Sequence, residues 1–306
     1  MPDITFIIIN FNTKDLLRNC LNSIYDTVKG VAFEIIVIDN DSHDQSREML
    51  EKEFLQVILI KNSRNMGFAA ANNQALRIMS GRYAVLLNTD SVLVDGAILN
   101  LMDFMDYRLD TAMACGQLLN ADGSKQNSIA KFPDLLNLII STPLLEYFFP
   151  RYYPSKRYKH EKPVEIDSGI GACLIVRKRA IDEVGLLDER YFFFFEETDW
   201  ALQMKKAGWK IYFVPTAFIY HLQGQSVGHS ISSRILFYRS RYKYFNKWKG
   251  PLYNTVVRTI IFSRLAVNWL FNLLTLAVML GSNKKTTDRL HVYSQLMAWH
   301  LKGCPE

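Results

Sequence analysis

The N-terminal third of the chain alternates short apolar runs with segments of helical spacing. The runs ITFIIIN, EIIVIDN, VILIKN and YAVLLNTD predict four buried strands. Segments beginning near Asp15, Ser46 and Asn72 have the spacing of helices. Apolar runs of this length alternating with helices are typical of parallel strands covered on both faces. The pattern therefore predicts an α/β fold with a mostly parallel central sheet.

Polar side chains follow each of the four predicted strands. In chain order they are Asn10 and Asn12, then Asp39, Asn40 and Ser42, then Asn62 and Asn65, then Asn88 and Asp90. Because ligands of α/β sheets bind at the carboxyl ends of the strands, we expect these side chains to line one site. No G-x-G-x-x-G sequence follows the first strand, which disfavours a Rossmann dinucleotide site. A P-loop sequence is also absent from the chain.

Residues 185–221 combine an apolar wall with a cluster of acids. Four consecutive phenylalanines lead directly into the stretch Glu196-Glu197-Thr198-Asp199. The run from Trp200 to Ala207 predicts a helix with Trp200 and Met204 on one face. Capping is one interpretation of the acids, because the helix dipole favours them in an opening turn. Desolvation behind the apolar wall would instead make a carboxylate a useful base, and we favour this catalytic interpretation.

Six pieces of the sequence succeed one another over roughly residues 3–225. They are IIINFNT, VIDNDSHD, NMGFAAANNQAL, LLNTD, GACLIVRKRAIDEVGLLDE, and FFFFEETDW with the later GWKI and His221. In this order they resemble the inverting family 2 glycosyltransferases with the GT-A fold, especially the rhamnosyltransferase-like branch. The resemblance implies a GT-A catalytic domain over residues 1–230. Its nucleotide-binding half would be residues 1–115, and its acceptor and catalytic half residues 116–230.

The resemblance assigns the polar residues to a nucleotide-sugar site. Asp39 would accept a hydrogen bond from the nucleotide base, with Asn10 and Asn12 in the same pocket. Asn65 and Gly67 would bring a loop close to the diphosphate, because a glycine lets the backbone approach. The full set implied is Asn10, Asn12, Asp39, Asn40, Ser42, Asn65, Gly67, Asn88, Thr89, Asp90 and Gly171. For Gly171 the alternative is a structural role in a tight turn before a strand.

The resemblance also implies a divalent metal, Mg²⁺ or Mn²⁺. Asp90 stands where the family places the metal-binding carboxylate of its D-x-D motif. Asn88 replaces the other aspartate, and an amide oxygen binds such ions more weakly. His221 matches a late histidine that completes the metal shell in some relatives; a core or surface histidine is the alternative.

Three acids near residue 197 are the candidates for catalysis. Glu197 matches the position of the catalytic base, with Glu196 as the second candidate. A carboxylate in this role would take the proton of a sugar hydroxyl as it attacks C1. One base without a protein nucleophile implies a single displacement and inversion. Asp199 is expected to hold the helix start or to orient the acceptor.

Residues 231–306 form a basic and apolar C-terminal region, which we expect to be a helical appendage. They contain 12 Lys and Arg against two acids, whereas residues 1–230 contain 24 against 28. Residues 265–281 carry no charge, a length at the lower limit for crossing a bilayer. We expect the region to lie on an anionic membrane surface. A helix packed on the catalytic domain is the alternative. The catalytic pattern upstream disfavours a nucleic-acid partner.

Two functional classes remain open from the sequence. The favoured one is a metal-dependent inverting glycosyltransferase that extends a lipid-linked or surface glycan, with dTDP-rhamnose as the favoured donor and UDP- or GDP-sugars behind it. The alternative is a non-catalytic nucleotide-sugar-binding or scaffold protein of a glycan assembly complex, which the replacement at Asn88 suggests. Four cysteines without C-x-x-C spacing and the lack of a signal-like N-terminus predict a cytoplasmic protein, peripheral on the cytoplasmic face of the membrane.

Overall fold

The computed structural model describes most of the chain and divides it into two compact units. The described residues are 2–140, 142–150, 160–222, 230–278 and 283–305. The first unit comprises Met1–Phe132 and Leu145–Val227, and the second comprises Pro133–Leu144 and Gly228–Glu306.

All strands among the described residues belong to the first unit. They are β1 (Ile4–Asn10), β2 (Phe33–Asp39), β3 (Ile58–Lys61), β4 (Tyr83–Leu87), β5 (Ser91–Leu93), β6 (Thr111–Leu119), β7 (Ile129–Ala130), β8 (Val164–Glu165), β9 (Ser168–Gly169), β10 (Cys173–Arg177) and β11 (Lys210–His221).

The helices are distributed over both units. They are α1 (Lys14–Thr27), α2 (Ser46–Glu53), α3 (Phe68–Leu76), α4 (Ala97–Tyr107), α5 (Leu136–Ile139), α6 (Thr142–Phe148), α7 (Lys178–Val184), α8 (Glu196–Lys206), α9 (Ile231–Lys249), α10 (Pro251–Val278) and α11 (Lys284–Leu301).

The main sheet has the strand order β3-β2-β1-β4-β10-β6-β11-β5, with β8 paired to β11, and β7 and β9 form a separate ribbon. β1 runs parallel to β2 and β4, and β2 runs parallel to β3, as the alternation of strands and helices predicted. β10 then enters antiparallel between β4 and β6, and β11 is parallel to β6 but antiparallel to β5 and β8. The first four strands are therefore parallel, whereas the complete sheet is mixed.

Helices cover both faces of this sheet, because successive strand side chains point to opposite faces. Ile4, Phe6 and Ile8 of β1 belong to a core shared with α1, α2 and α4. Ile7 of the same strand belongs to the opposite core, which includes side chains of α3, α7 and α8. Trp200 of α8 is fully buried there, together with Met204, which confirms the predicted apolar face.

Two helices begin four residues earlier than their apolar spacing predicted. α3 begins at Phe68 instead of Asn72, and α8 begins at Glu196 instead of Trp200. Both follow a residue with positive φ, Gly67 at 81° and Phe195 at 71°. The local backbone there is set by packing between loops and not by side-chain periodicity. One consequence is that all three candidate catalytic acids lie in the first turn of α8.

The second unit is helical. The Tyr242 ring of α9 stacks on Trp299 of α11, with centroids 6.3 Å apart, and the Tyr242 hydroxyl lies 2.7 Å from His300 Nε2. α10 contacts both α9 and α11. It is long and apolar enough to cross a membrane, by length and composition only. Residues 265–278 of the charge-free stretch lie in α10, and residues 279–281 lie outside the described residues.

Candidate active site

Asp39, at the end of β2, accepts hydrogen bonds on both carboxylate oxygens. Asn10 lies beside it in register on β1, and its Nδ2 donates to Oδ2 at 2.8 Å. The backbone N of Ser42 and Nε of Arg47 donate to Oδ1 at 3.0 and 2.5 Å. Complete burial by itself raises the pKa of Asp39, but these hydrogen bonds outweigh it and hold the pKa below its ordinary value. Asp39 is therefore an ionised group that can only accept hydrogen bonds.

Arg47 was not singled out in the sequence, although it is the cation that balances Asp39. It lies in the first turn of α2, and its Nη2 also donates to the Asn62 carbonyl at 2.8 Å. A helix dipole disfavours a cation in the first turn. An arginine at that position, shortly after a buried acid, is the sequence signal that could have identified it.

Asn12 and Ser42 lie in the same network. Ser42 Oγ accepts hydrogen bonds from Asn10 Nδ2 at 2.9 Å and from the Asn12 backbone N at 3.0 Å. The Asn12 Oδ1 accepts from the backbone N of His43 at 2.7 Å. Asn12 has φ of 54°, a left-handed conformation that asparagine tolerates better than most residues. The structure thus brings together the polar residues that follow β1 and β2.

Asn40 anchors the loop that follows β3. Its Nδ2 lies 3.2 Å from both Asn65 Oδ1 and the Gly67 carbonyl, and its Oδ1 accepts from Asn62 Nδ2 at 2.9 Å. Within the protein, the backbone of Gly67 closely approaches Phe192. A Cβ on Gly67 would lie 2.6 Å from the carbonyl oxygen of Phe192, a neighbour within the protein.

Thr13 connects the Asn10 network with the turn after β4. Its Oγ1 lies 2.8 Å from Asn10 Oδ1 and 2.9 Å from Thr89 Oγ1. Thr89 is buried, whereas Asn88 beside it is partly exposed. The Asn88 backbone N donates to the Ala172 carbonyl at 3.0 Å, which fixes this turn against the segment before β10.

Asp90, at the end of the same turn, and His221, at the end of β11, form a buried pair. His221 Nε2 lies 3.4 Å from Asp90 Oδ1. On its other side, His221 Nδ1 lies 3.0 Å from Gln126 Oε1, and Gln126 Nε2 donates to the His221 carbonyl at 2.5 Å. Gln126, which the sequence pattern did not identify, therefore orients the imidazole, as outer partners of metal-ligating histidines do.

The chemistry of this pair suits a divalent ion. Carboxylate and imidazole are ligands of Mn²⁺, and the partly exposed Asn88 amide lies two residues away in the chain. Within the described part of the chain, no group of three or more His, Cys, Asp or Glu side chains could hold a metal. Asp90 and His221, with Asn88, are the residues that could hold one here.

Glu196 and Glu197 open α8, and hydrogen bonds do not offset the effect of burial on their pKa as they do for Asp39. Glu196 is only 5% exposed, and no described residue hydrogen-bonds to its Oε2. Burial, and then the charge of Glu197, raise the pKa of Glu196 well above its ordinary value. Burial also raises the pKa of Glu197, which keeps part of its surface exposed. A carboxyl group with a raised pKa is suited to take up a proton.

Gly171 and Ala172 connect Glu197 to the turn that carries Asp90. A Cβ on Gly171 would lie 3.7 Å from Glu197 Cγ and 3.8 Å from Cδ, an ordinary contact, so the two residues are neighbours. The carbonyl of the next residue, Ala172, accepts from the Asn88 backbone N and from Ser91 Oγ. Residues 171–172 therefore join the first turn of α8 to the turn that carries Asp90.

Asp199 is fully buried and holds the start of α8. The Tyr191 hydroxyl donates to its Oδ1 at 3.2 Å, and Gln203 Nε2 donates to its Oδ2 at 2.7 Å. These bonds tie the preceding loop to the helix. The first of the two expected roles of Asp199, that of holding the helix start, agrees with these contacts.

Comparisons with known proteins agree with this architecture. Residues 5–185 match the family model described as glycosyl transferase family 2. An N-acetylglucosaminyl-diphospho-decaprenol L-rhamnosyltransferase of Mycobacterium tuberculosis is 29% identical over 240 residues, 71% of this chain and 78% of its own length. The low-salt glycan biosynthesis hexosyltransferase Agl10 of Haloferax volcanii is 24% identical over 67% of this chain and 62% of its own.

Two solved structures share the fold. The mannosyltransferase PcManGT of Pyrobaculum calidifontis, in complex with GDP-Man and Mn²⁺, superposes with a TM-score of 0.58 at 17% identity, over 98% of this chain and 86% of its own. GalNAc-T7 with UDP, GalNAc and Mn²⁺ superposes with a TM-score of 0.61 at 15% identity, over 81% and 48%. The GT-A fold expected from the sequence is confirmed.

Proposed function

Because the chain belongs to the family 2 glycosyl transferases, we propose that this glycosyltransferase is metal-dependent and inverting, and moves rhamnose from dTDP-rhamnose to a hydroxyl of a lipid-linked or surface glycan. The mycobacterial relative is named as an L-rhamnosyltransferase for N-acetylglucosaminyl-diphospho-decaprenol, which supports both the sugar and the acceptor class. Residues 1–230 would carry catalysis, with the nucleotide in residues 1–115 and the acceptor in 116–230.

The observation that carries the proposal is the position of Glu197. It lies in the first turn of α8, against Gly171, and residues 171–172 contact the turn that carries Asp90. Glu197 would take the proton of the acceptor hydroxyl as the oxygen attacks the anomeric carbon. Its partial exposure leaves it accessible to a hydroxyl, whereas Glu196 is more deeply buried. Glu196 remains the second candidate for the base.

The donor nucleotide would be selected at Asp39. An ionised carboxylate only accepts hydrogen bonds, so it pairs with a nucleotide base that offers a ring N–H. Thymine, uracil and guanine have such a group, whereas cytosine and adenine present a bare ring nitrogen at the corresponding position. Asp39 therefore supports dTDP-, UDP- and GDP-sugars as the donors to be tested, with dTDP-rhamnose first.

Asp90 and His221, with Asn88, would hold the divalent ion. A bound Mg²⁺ or Mn²⁺ supplies positive charge that stabilises the leaving nucleoside diphosphate. The protein contributes an orienting shell: Gln126 fixes the imidazole, and the Ala172 carbonyl fixes the backbone of Asn88.

The test is release of nucleoside diphosphate from a panel of dTDP-, UDP- and GDP-sugars, with Mn²⁺ and with excess chelator. We expect metal-dependent turnover with at least one donor. We also expect Asp90→Ala to lose the metal dependence of donor binding, because Asp90 is the only carboxylate among the three proposed ligands. Full activity in chelator would exclude the metal mechanism. Donor binding without any turnover would support the non-catalytic alternative.

We further propose that the second unit binds an anionic membrane surface. The second half of α10 presents large apolar side chains to solvent at helical spacing, among them Leu270, Phe271 and Leu274, with Phe271 68% exposed. Exposed lysines at the start of α11, Lys284 and Lys285, follow in the chain. Apolar side chains with adjacent cations match the boundary between acyl chains and anionic headgroups.

Vesicle sedimentation tests this proposal, with charge reversals chosen from the structure. Arg239 and Arg241 are unsuitable, because Arg239 donates to the Pro305 carbonyl and Arg241 lies over the Phe237 ring. Lys284→Glu with Lys285→Glu should release the protein from vesicles of anionic lipid. The exposed pair Lys29→Glu with Lys52→Glu, in the first unit, makes the same charge change and should remain bound. Equal binding of both variants would contradict the proposal.

A further inference from the structure

Gly67 and Phe192 bring two loops of the candidate site into backbone contact. One loop, residues 62–68, follows β3, and the other, residues 191–195, precedes α8. The backbone N of Phe68 donates to the Phe192 carbonyl at 2.7 Å. A Cβ on Gly67 would lie 2.6 Å from that carbonyl oxygen and 3.0 Å from the Phe192 Cα, so the backbone would have to move. Only glycine allows this contact.

The backbone conformation of Gly67 also requires glycine. Its φ of 81° and ψ of 177° lie in a region that is essentially restricted to glycine. Asn65 Oδ1 accepts from the Gly67 N at 2.9 Å, and Asn40, which follows Asp39 in the chain, holds the Gly67 carbonyl. The first loop is therefore fixed to the nucleotide side of the site.

The second loop has a strained backbone in the two residues directly before Glu196. Phe194 and Phe195 have φ of 69° and 71°, a left-handed conformation that is costly for bulky side chains. Glu196 follows directly, and the Asp199 backbone N donates to the Phe195 carbonyl at 2.8 Å. Such a conformation persists only where neighbouring structure enforces it. The contact with Gly67 is one such constraint, and an edge-to-face contact between Phe68 and Phe193, at 5.9 Å, is another.

We propose that Gly67 is a positioning residue that acts through Phe192 on Glu197. The two loops, residues 62–68 and 191–195, form what we call the Gly67–Phe192 latch, and the latch sets the first turn of α8. This inference rests on the proposed role of Glu197 as the base. It gives Gly67 a role toward the base, in addition to the diphosphate contact that the resemblance implies. Displacing a catalytic group by about 1 Å can lower turnover by about 10²-fold, so the contact is worth testing in kcat.

The test compares Gly67→Ala with Gly250→Ala. Gly250 has nearly the same backbone, φ 86° and ψ 171°, but a Cβ there would meet nothing within 4 Å, so it controls for backbone strain. We expect Gly67→Ala to lower kcat by about 10- to 100-fold, with the Kd for the donor's nucleoside diphosphate (dTDP for the rhamnose donor) within about twofold of the wild type. Gly250→Ala should keep kcat. Equal kcat in the two variants, or a rise in Kd that accounts for the whole loss, would overturn the proposal.

A double-mutant cycle separates positioning from a general structural defect. If Gly67 acts through Glu197, adding Gly67→Ala to Glu197→Gln should lower kcat little further, whereas independent effects would multiply and contradict the latch. Should Gly67→Ala not fold by circular dichroism, Phe68→Leu enters the same cycle in its place. Normal turnover in Glu197→Gln alone would refute the proposed base, and that result is distinguishable from failure of the latch.

Discussion

Asp39 and Glu196 are two buried carboxyl groups of one site with opposite shifts of the pKa. Both side chains are almost entirely removed from solvent. Asp39 receives three hydrogen bonds, one of them from a guanidinium, and its pKa is lowered. Glu196 has a buried oxygen to which no described residue hydrogen-bonds, and its pKa is raised well above the ordinary value. Burial therefore does not decide the charge of a carboxyl group; the supply of donors does.

The difference matches the proposed division of the site between donor binding and proton transfer. A permanently ionised acceptor recognises a ligand without changing its own protonation. The desolvated carboxyl of Glu196 takes up a proton more readily, and burial also raises the pKa of the neighbouring Glu197. This contrast agrees with the proposed roles, in which Asp39 binds the donor and a glutamate of α8 takes the proton.

The largest expected effect is the loss of turnover when Glu197 is replaced. Glu197→Gln keeps the shape of the side chain but removes the proton acceptor, so we expect turnover to fall by about 10²- to 10⁴-fold with donor binding retained. Steady-state kinetics and calorimetry with the nucleoside diphosphate measure the two quantities.

Glu196→Gln is the control for that experiment. It removes the neighbouring acid with the same change of side chain and should reduce turnover much less. If Glu196→Gln abolished turnover and Glu197→Gln stayed nearly active, the base would be Glu196, and the assignment of the two acids would have to be exchanged.

The next largest effect is on the free energy of unfolding when Asp39 is replaced. Asp39→Asn replaces an acceptor oxygen with an amide that cannot satisfy Asn10, the Ser42 N–H and Arg47 together. Leaving buried donors unpaired should lower the free energy of unfolding by about 2 kcal/mol, measured by urea denaturation. Asp182→Asn, in an exposed pair with Lys178, makes the same chemical change and should alter stability by less than about 0.5 kcal/mol. Equal losses in both variants would mean that the Asp39 network has no special role.

The smallest effect concerns the pH dependence of stability. Because the pKa of Glu196 is raised in the folded state, the folded protein binds the proton more tightly than the unfolded chain. Its stability contribution is present below the ordinary pKa and is lost as pH rises toward the folded pKa. Glu196→Gln lacks this loss, so it should be more stable than the wild type at pH 7 but not at pH 4. Urea denaturation at both pH values checks this. A variant that is less stable at pH 7 would indicate an ionised, supported Glu196.

The apolar periodicity of the sequence was enough to predict an α/β fold whose first four strands are parallel. ITFIIIN predicted β1 with the bounds that the structure has, because a strand buried on both faces needs an unbroken apolar run. The order of six short sequence pieces indicated the family, and the polar residues after the strands indicated the edge where they now lie together. These are properties of local sequence, which periodicity and order along the chain express directly.

Other features depended on contacts between residues far apart in the chain. The contact by which Gln126 orients His221, across 95 positions, and the contact of Gly67 with Phe192 have no local signature strong enough to predict them. The sequence pattern also did not predict the antiparallel pairing of β10 or the start of α8 at Glu196. A periodic pattern determines which face of an element is buried. Which side chain supplies a hydrogen bond, and which backbone must be glycine, is decided only when packed elements bring distant residues together.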